Sequence, residues 1–134
     1  MPLAVSRKPI VSVIIVSYNT AELTLKSVRS AYESTGFKPG EIEVILVDNS
    51  SVDDTVKRLG SELVNFRLII NANNVGFGAA NNQGADVARG KYLLFLNSDA
   101  FLDPNTLKSL VTTIDIHKEI YSCAPQLRYE SGDL

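Results

Sequence analysis

Ile10-Val11-Ser12-Val13-Ile14-Ile15-Val16-Ser17 decides the fold. It is rich in Val and Ile, and its apolar residues fall on both faces of an extended chain. A strand that reads this way lies inside a parallel sheet covered on both sides. Arg7 and Lys8 precede it, as basic residues precede the apolar core of a secretory leader. The run is short, Ser12 interrupts it, and it leads into Ser17-Tyr18-Asn19 rather than into small residues around a cleavage site. It is therefore read as a strand. Working outward, Asn19 with Glu22 has the spacing of a capping box. A helix follows with Leu25, Val28 and Ala31/Tyr32 on one face, and residues 36–40, with Pro39, break it.

The same alternation continues. Residues 42–47 form a second buried strand, and a short helix through Val56 and Leu59 is expected to end at Gly60. Residues 66–70 are a third strand. The stretch after Gly76 and Gly78 turns helical towards Arg89 and stops at Gly90. Residues 92–96 are a fourth strand. Asp103, with Pro104 at the first helical position, starts a helix whose stripe is Leu107, Leu110, Val111 and Ile114. Residues 120–124 are expected to be a fifth strand. The reading is an α/β domain over residues 10–128, with a largely parallel sheet of about five strands and helices on both faces, between tails at 1–9 and 129–134. Crossovers should be right-handed. Ligands of such sheets bind at the carboxyl ends of the strands. That places residues 17–19, 48–51, 71–78 and 97–99 on one rim.

Composition sets the bounds. The chain has 134 residues, 45% of them hydrophobic and 21% charged, which is one ordinary globular domain. A formal charge of −2 argues against binding the backbone of nucleic acids. One cysteine, Cys123, excludes an internal disulfide, and no Cys/His cluster suggests zinc. No apolar run approaches the roughly 18–20 residues of a membrane helix. Cys123 is expected to be a small buried residue, and His117 to face solvent or a helix C-terminus.

The rim carries the chemistry. Asp48, ending a buried strand, can accept hydrogen bonds from a ribose or a base, or can order its own turn. Asp99, beside Asn97 and Ser98, offers oxygen ligands suited to Mg²⁺ or Mn²⁺ completed by substrate phosphates. The glycines of Gly76-Phe77-Gly78-Ala79-Ala80-Asn81 are spaced as in a dinucleotide fingerprint. However, Asn81 stands in place of the third glycine, and the run follows the third strand rather than the first. Gly90-Lys91 lacks the rest of a P-loop, and no nucleophile–base pair for acyl transfer is visible.

Taken together, the rim segments resemble family 2 glycosyltransferases of the GT-A, Rossmann-like fold. The matching segments are Val11-Ser12-Val13-Ile14-Ile15-Val16-Ser17-Tyr18-Asn19, Val47-Asp48-Asn49-Ser50-Ser51-Val52-Asp53-Asp54-Thr55, Asn73-Asn74-Val75-Gly76-Phe77-Gly78 through Asn81-Asn82-Gln83-Gly84, and Leu94-Phe95-Leu96-Asn97-Ser98-Asp99 at the D-x-D position. The Asn-Asn-x-Gly-Phe-Gly and Asn-Ser-Asp versions look most like the rhamnosyltransferase-like branch, whose donor is dTDP-rhamnose and whose acceptors are often lipid-linked or polysaccharide.

The resemblance implies transfer of a sugar from a nucleotide-diphosphate donor, dTDP-rhamnose or a UDP-sugar, to an acceptor hydroxyl with inversion. It implies a divalent cofactor, Mn²⁺ or Mg²⁺, at Asp99. Nucleotide contacts would come from Ser17, Tyr18, Asn19, Asp48, Gly76, Asn81 and Asn97, while Asp53 starts a helix. Asn97 replaces the first aspartate of D-x-D, keeping an oxygen but losing a charge. The acceptor-binding half, which supplies the general base in this family, is not expected within these residues. Asp115, Glu119 and Asp133 match nothing at its position, so the base is unassigned, and the chain is expected to be the donor- and metal-binding half of a longer enzyme. Cell-wall or polysaccharide synthesis and a cytoplasmic location, peripheral at the inner membrane face, follow from the same resemblance. Self-association through the face left by the missing half would also fit it. Two rivals remain: an inactive fragment or interaction domain that keeps the fold, and another α/β nucleotide-binding domain of the NAD type.

Overall fold

The computed structural model describes residues 8–134; residues 1–7, most of the expected N-terminal tail, lie outside them. Four strands, β1 (Val11–Ser17), β2 (Ile42–Asp48), β3 (Phe66–Ile70) and β4 (Tyr92–Phe95), form one parallel sheet in the order β3-β2-β1-β4. The two strands with apolar residues on both faces are the two inner ones: every residue of β2 is buried, and so is all of β1 except the half-buried Val16. The outer strands β3 and β4 mix half-buried and exposed positions and hold no fully buried residue, as befits the sheet's edges.

Helices α1 (Ala21–Tyr32), α2 (Thr55–Glu62) and α4 (Thr106–Ile116) cover one face, and α3 (Phe77–Val87) covers the other. On the first face Val11, Val13, Ile15, Val44 and Leu46 form one core with Leu25 and Val28 of α1, Leu59 of α2, and Leu107 and Val111 of α4. Each such side chain contributes about 1.5–3 kcal/mol by leaving water. On the second face Gly84 of α3 sits directly on Ile14; a Cβ there would lie 2.5 Å from Ile14 Cγ2. The missing side chain is what lets α3 seat on the inner strands. One helix does not span the whole face, and Leu93 and Phe95 of β4 stay 45% and 52% exposed.

The amino ends of the strands are pinned by a buried carboxylate. Glu43 accepts hydrogen bonds from Ser12 Oγ at 2.5 Å, from the Arg89 backbone N–H at 2.6 Å, and from Arg89 Nε and Nη2 at 3.1 and 3.0 Å. Ser12 Oγ in turn accepts from Gly90 N at 2.8 Å. Burial pushes the Glu43 carboxyl up, but the hydrogen bonds from Ser12 and Arg89, with the Arg89 charge, outweigh it and hold the group below its ordinary range.

Several local expectations are corrected. The expected fifth strand at 120–124 does not form, and after α4 the described residues hold no helix or strand. Tyr121 is 98% exposed, and Pro125 directly after the stretch removes a ladder donor. Cys123 is exposed rather than buried, because the strand meant to bury it is absent. Asn19 does not cap α1. The N-cap is Thr20, without a side-chain cap, because the Asn19 amide oxygen accepts from Val52 N at 2.9 Å instead. Gly60 lies inside α2, which runs to Glu62 and is capped at Leu63. Helix α4 is capped at Asn105 rather than Asp103; the Asp103-Pro104 pair makes the turn just before it, where Thr106 N donates to Asp103 O at 3.0 Å. His117 is the C-cap of α4 and is exposed, with Nδ1 3.2 Å from Glu119 Oε1. No helix among the described residues is long and apolar enough to cross a membrane.

Candidate functional site

The carboxyl ends of β1, β2 and β4 open onto a cleft of about 500 Å³. Val16 and Tyr18 reach it from the end of β1, and Asn49 from the end of β2. Asn97, Ser98 and Asp99 come from the loop after β4, and Asn74 and Phe77 close it from the entry to α3. All the strands run the same way, so their carboxyl ends deliver these loops to one place.

The loops are tied to one another. Asn49 N donates to Ser17 O at 2.8 Å, and Asn71 N to Asp48 O at 2.9 Å, carrying the sheet ladder into the rim. The Asn49 side chain donates to Asn74 Oδ1 at 2.8 Å, and its Oδ1 accepts from Val75 N at 2.9 Å. Gly76 caps α3 with φ +85, a left-handed conformation that other residues adopt only under strain, and its N–H donates to Asn74 Oδ1 at 2.9 Å.

Chemically the walls are amides, a hydroxyl, two aromatic faces and one carboxylate, with no lysine or arginine among the lining residues. Tyr18 and Phe77 are 47% and 58% exposed and can hold a flat ring. Amides can read the edge of such a ring. Asp99 is exposed, and an anionic ligand beside it would be repelled without a cation between them. The oxygens of Asp99, Asn97 and Ser98 are the hard donors that Mn²⁺ or Mg²⁺ takes. Among the described residues no three His, Cys, Asp or Glu are grouped to hold a metal, so a cation here would draw its remaining oxygens from water and from a bound ligand. The donor set fits on that condition.

The structure brings Tyr18, Asn97 and Asp99 together in the cleft, with Gly76 between two of its lining residues. It places the other nominated residues elsewhere. Ser17 is buried, and its Oγ lies 3.0 Å from Thr24 Oγ1 of α1. Asn19 has φ 53 and clamps the next loop, its N–H donating to Ser51 Oγ at 2.8 Å. Asp48 is fully buried, and its two carboxylate oxygens accept from Ser51 N at 2.9 Å and Ser51 Oγ at 2.6 Å, the turn-ordering reading of that residue. Asn81 is buried in α3, donating to Phe77 O at 3.1 Å. Asp53 starts α2 by accepting from Thr55 N at 3.0 Å. Asp115 is spent on Lys91 at 2.6 Å and Tyr92 OH at 2.5 Å, between α4 and β4. Sequence reasoning assigned no contact to Val16, Asn49, Asn74 or Phe77, and named Ser98 only as a neighbour of Asp99. Each lies in the last residues of a strand, in the loop after one, or at the start of a helix on the rim side, and that position was the available signal.

The profile of glycosyl transferase family 2 matches residues 12–134. The chain belongs to that family. Within it, an Escherichia coli chondroitin synthase is 34% identical over 104 residues, which is 76% of this chain and 15% of that protein. The succinoglycan biosynthesis protein ExoO of Rhizobium meliloti is 32% identical over 117 residues, 85% of this chain and 32% of that protein. Among solved structures, Staphylococcus aureus TarS 1–349 in complex with UDP-GlcNAc is similar with a TM-score of 0.69 and 30% identity, covering 81% of this chain and 32% of that one. The family 2 domain has the GT-A architecture of that structure, and the chain spans about a third or less of each of these proteins.

Proposed function

We propose that this chain is the donor-binding part of an inverting family 2 glycosyltransferase that moves a sugar from a nucleoside diphosphate to an acceptor hydroxyl. The observation that carries the reading is the single cleft joining Tyr18, Asn49, Asn74 and Phe77 with Asn97-Ser98-Asp99 at the carboxyl ends of the sheet. A similar protein, TarS, binds UDP-GlcNAc. In this proposal Tyr18 and Phe77 flank the base, and the Nδ2 of exposed Asn74 reads its edge or the ribose, while buried Asn49 holds Asn74 in place. Asp48 acts one step back, shaping the loop through Ser51, and Gly76 lets the backbone come close to the nucleotide. Asp99, with Asn97, would hold Mn²⁺ or Mg²⁺ against the diphosphate; when bound, the cation offsets the negative charge that develops on the leaving group. The donor is dTDP-rhamnose or a UDP-sugar. The half-exposed Leu93 and Phe95 on β4 are the apolar face on which an acceptor-binding part, carrying the general base, would pack.

The test is calorimetric titration with UDP, dTDP, GDP and NAD, with and without Mn²⁺, on the wild type and on Asp99→Ala. UDP or dTDP should bind, Mn²⁺ should tighten binding, and Asp99→Ala should remove the metal-dependent share. Absence of binding to any nucleotide, or a preference for NAD, overturns the proposal.

A further inference from the structure

We infer that Gln83, which does not line the cleft, is a positioning residue for it, acting through a relay of side-chain amides; the link to nucleotide affinity rests on the donor-binding reading above. Gln83 lies mid-way along α3. Its Oε1 accepts from Asn71 Nδ2 at 2.8 Å while its Nε2 donates to Asn71 Oδ1 at 3.0 Å, a reciprocal pair. Asn71 Nδ2 also reaches Asn49 Oδ1 at 3.3 Å. Asn49 then holds Val75 N and Asn74, and Asn74 holds Gly76 N. Beyond Asn71 N, which donates to Asp48 O, and Ser50 Oγ, which donates to Ala72 O at 3.3 Å, loop 71–76 therefore hangs from four amides rather than from apolar packing, since Ala72, Asn73, Asn74, Val75 and Gly76 are all exposed.

The chemistry explains why amides stand there. A carboxamide donates and accepts at the same reach, a carboxylate only accepts, and a hydroxyl is too short. Gln83, Asn71 and Asn49 each use both ends of the group. Asn74 uses only its oxygen, accepting from Asn49 Nδ2 and from Gly76 N. The relay is thus directional, and the four positions differ in what they tolerate. Gln83→Met breaks the reciprocal pair, Gln83→Glu keeps one of its two bonds, and Asn74→Asp keeps both bonds of Asn74.

The experiment is residue-resolved hydrogen exchange on the unliganded chain, with amides of β1 and β2 as the internal reference for global stability, followed by UDP and dTDP titration with Mn²⁺. Two neutral hydrogen bonds lost at the far end of the relay should speed exchange at Val75 and Gly76 about threefold to tenfold in Gln83→Met, with the reference amides unchanged. Gln83→Glu should fall between, and Asn74→Asp should exchange like the wild type. Nucleotide affinity should fall about threefold to tenfold in Gln83→Met. Unchanged exchange at Val75 and Gly76, an equal rise throughout the sheet, or faster exchange with unchanged affinity each overturns the inference. If the wild type binds no nucleotide, the donor-binding reading fails separately, and the exchange contrast among the three variants alone decides whether the relay fixes the loop.

Discussion

Glu43→Gln is the sharpest test of how the sheet is held. The Glu43 side chain is 8% exposed, while that of its partner Arg89 is 60% exposed. The carboxylate accepts four hydrogen bonds, two on each oxygen. A glutamine of the same shape keeps one oxygen and turns an amide NH₂ towards two donors. Keeping the oxygen on Ser12 and the Arg89 backbone N–H preserves those two bonds, while the neutral amide ends the ion pair and leaves the guanidinium to swing into water. Hydrogen bonds to charged groups are worth about 1.5–3 kcal/mol, and solvent around Arg89 reduces its share. The expected cost is about 2 kcal/mol at pH 7, or about 6–10 °C in Tm for a domain of this size. The sign with pH follows from the lowered pKa of Glu43. Its stabilisation is present above the ordinary value of 4.5 and is lost as pH falls through the folded value. Urea unfolding of both proteins across the acid range should therefore show the gap narrow, never widen, as pH falls below 4.5. A gap below about 0.5 kcal/mol at pH 7, or one that widens in acid, would refute the account.

Two glycines on helices should respond oppositely to alanine. Gly84→Ala forces a methyl against buried Ile14 and should cost about 1–3 kcal/mol, whereas Gly60→Ala, with open space around it inside α2, should gain about 0.5–1 kcal/mol; thermal melts of the pair check both signs. Cys123 is exposed, so the native protein should take up one equivalent of a thiol reagent without denaturant. Labelling that requires unfolding would place that residue in a packed strand after all.

The sheet was legible because its inner strands are written in apolar residues on both faces. Residues 10–17 and 42–47 were read within a residue of their observed limits, and 66–70 without error. Elements defined by what meets them were less so. A strand at 120–124 needs a ladder partner, and apolar residues alone cannot reveal one. Asn19 has the sequence of a helix cap, but a hydrogen bond to Val52, distant in sequence, takes its side chain. Gly60 looks like a terminator, yet an exposed helix position accepts glycine at a modest cost. At the rim, topology predicted which loops converge but not which way each side chain turns. Asp48 and Ser17 point into local hydrogen bonds, while Asn49 and Tyr18, one residue further along, line the cleft.

The Glu43 anchor and the cleft lie at opposite ends of the same strands, separated by the length of the sheet. This divides the mutational burden. Residues at the amino ends are interlocked, so a change at one strands the others, and lineages should rarely drift there. The loops at the carboxyl ends are tied to one another through exposed segments such as 72–76, so a change at one of those positions loosens a loop and leaves the sheet standing. A chain built this way can exchange the ligand it recognises by small steps, each compatible with folding.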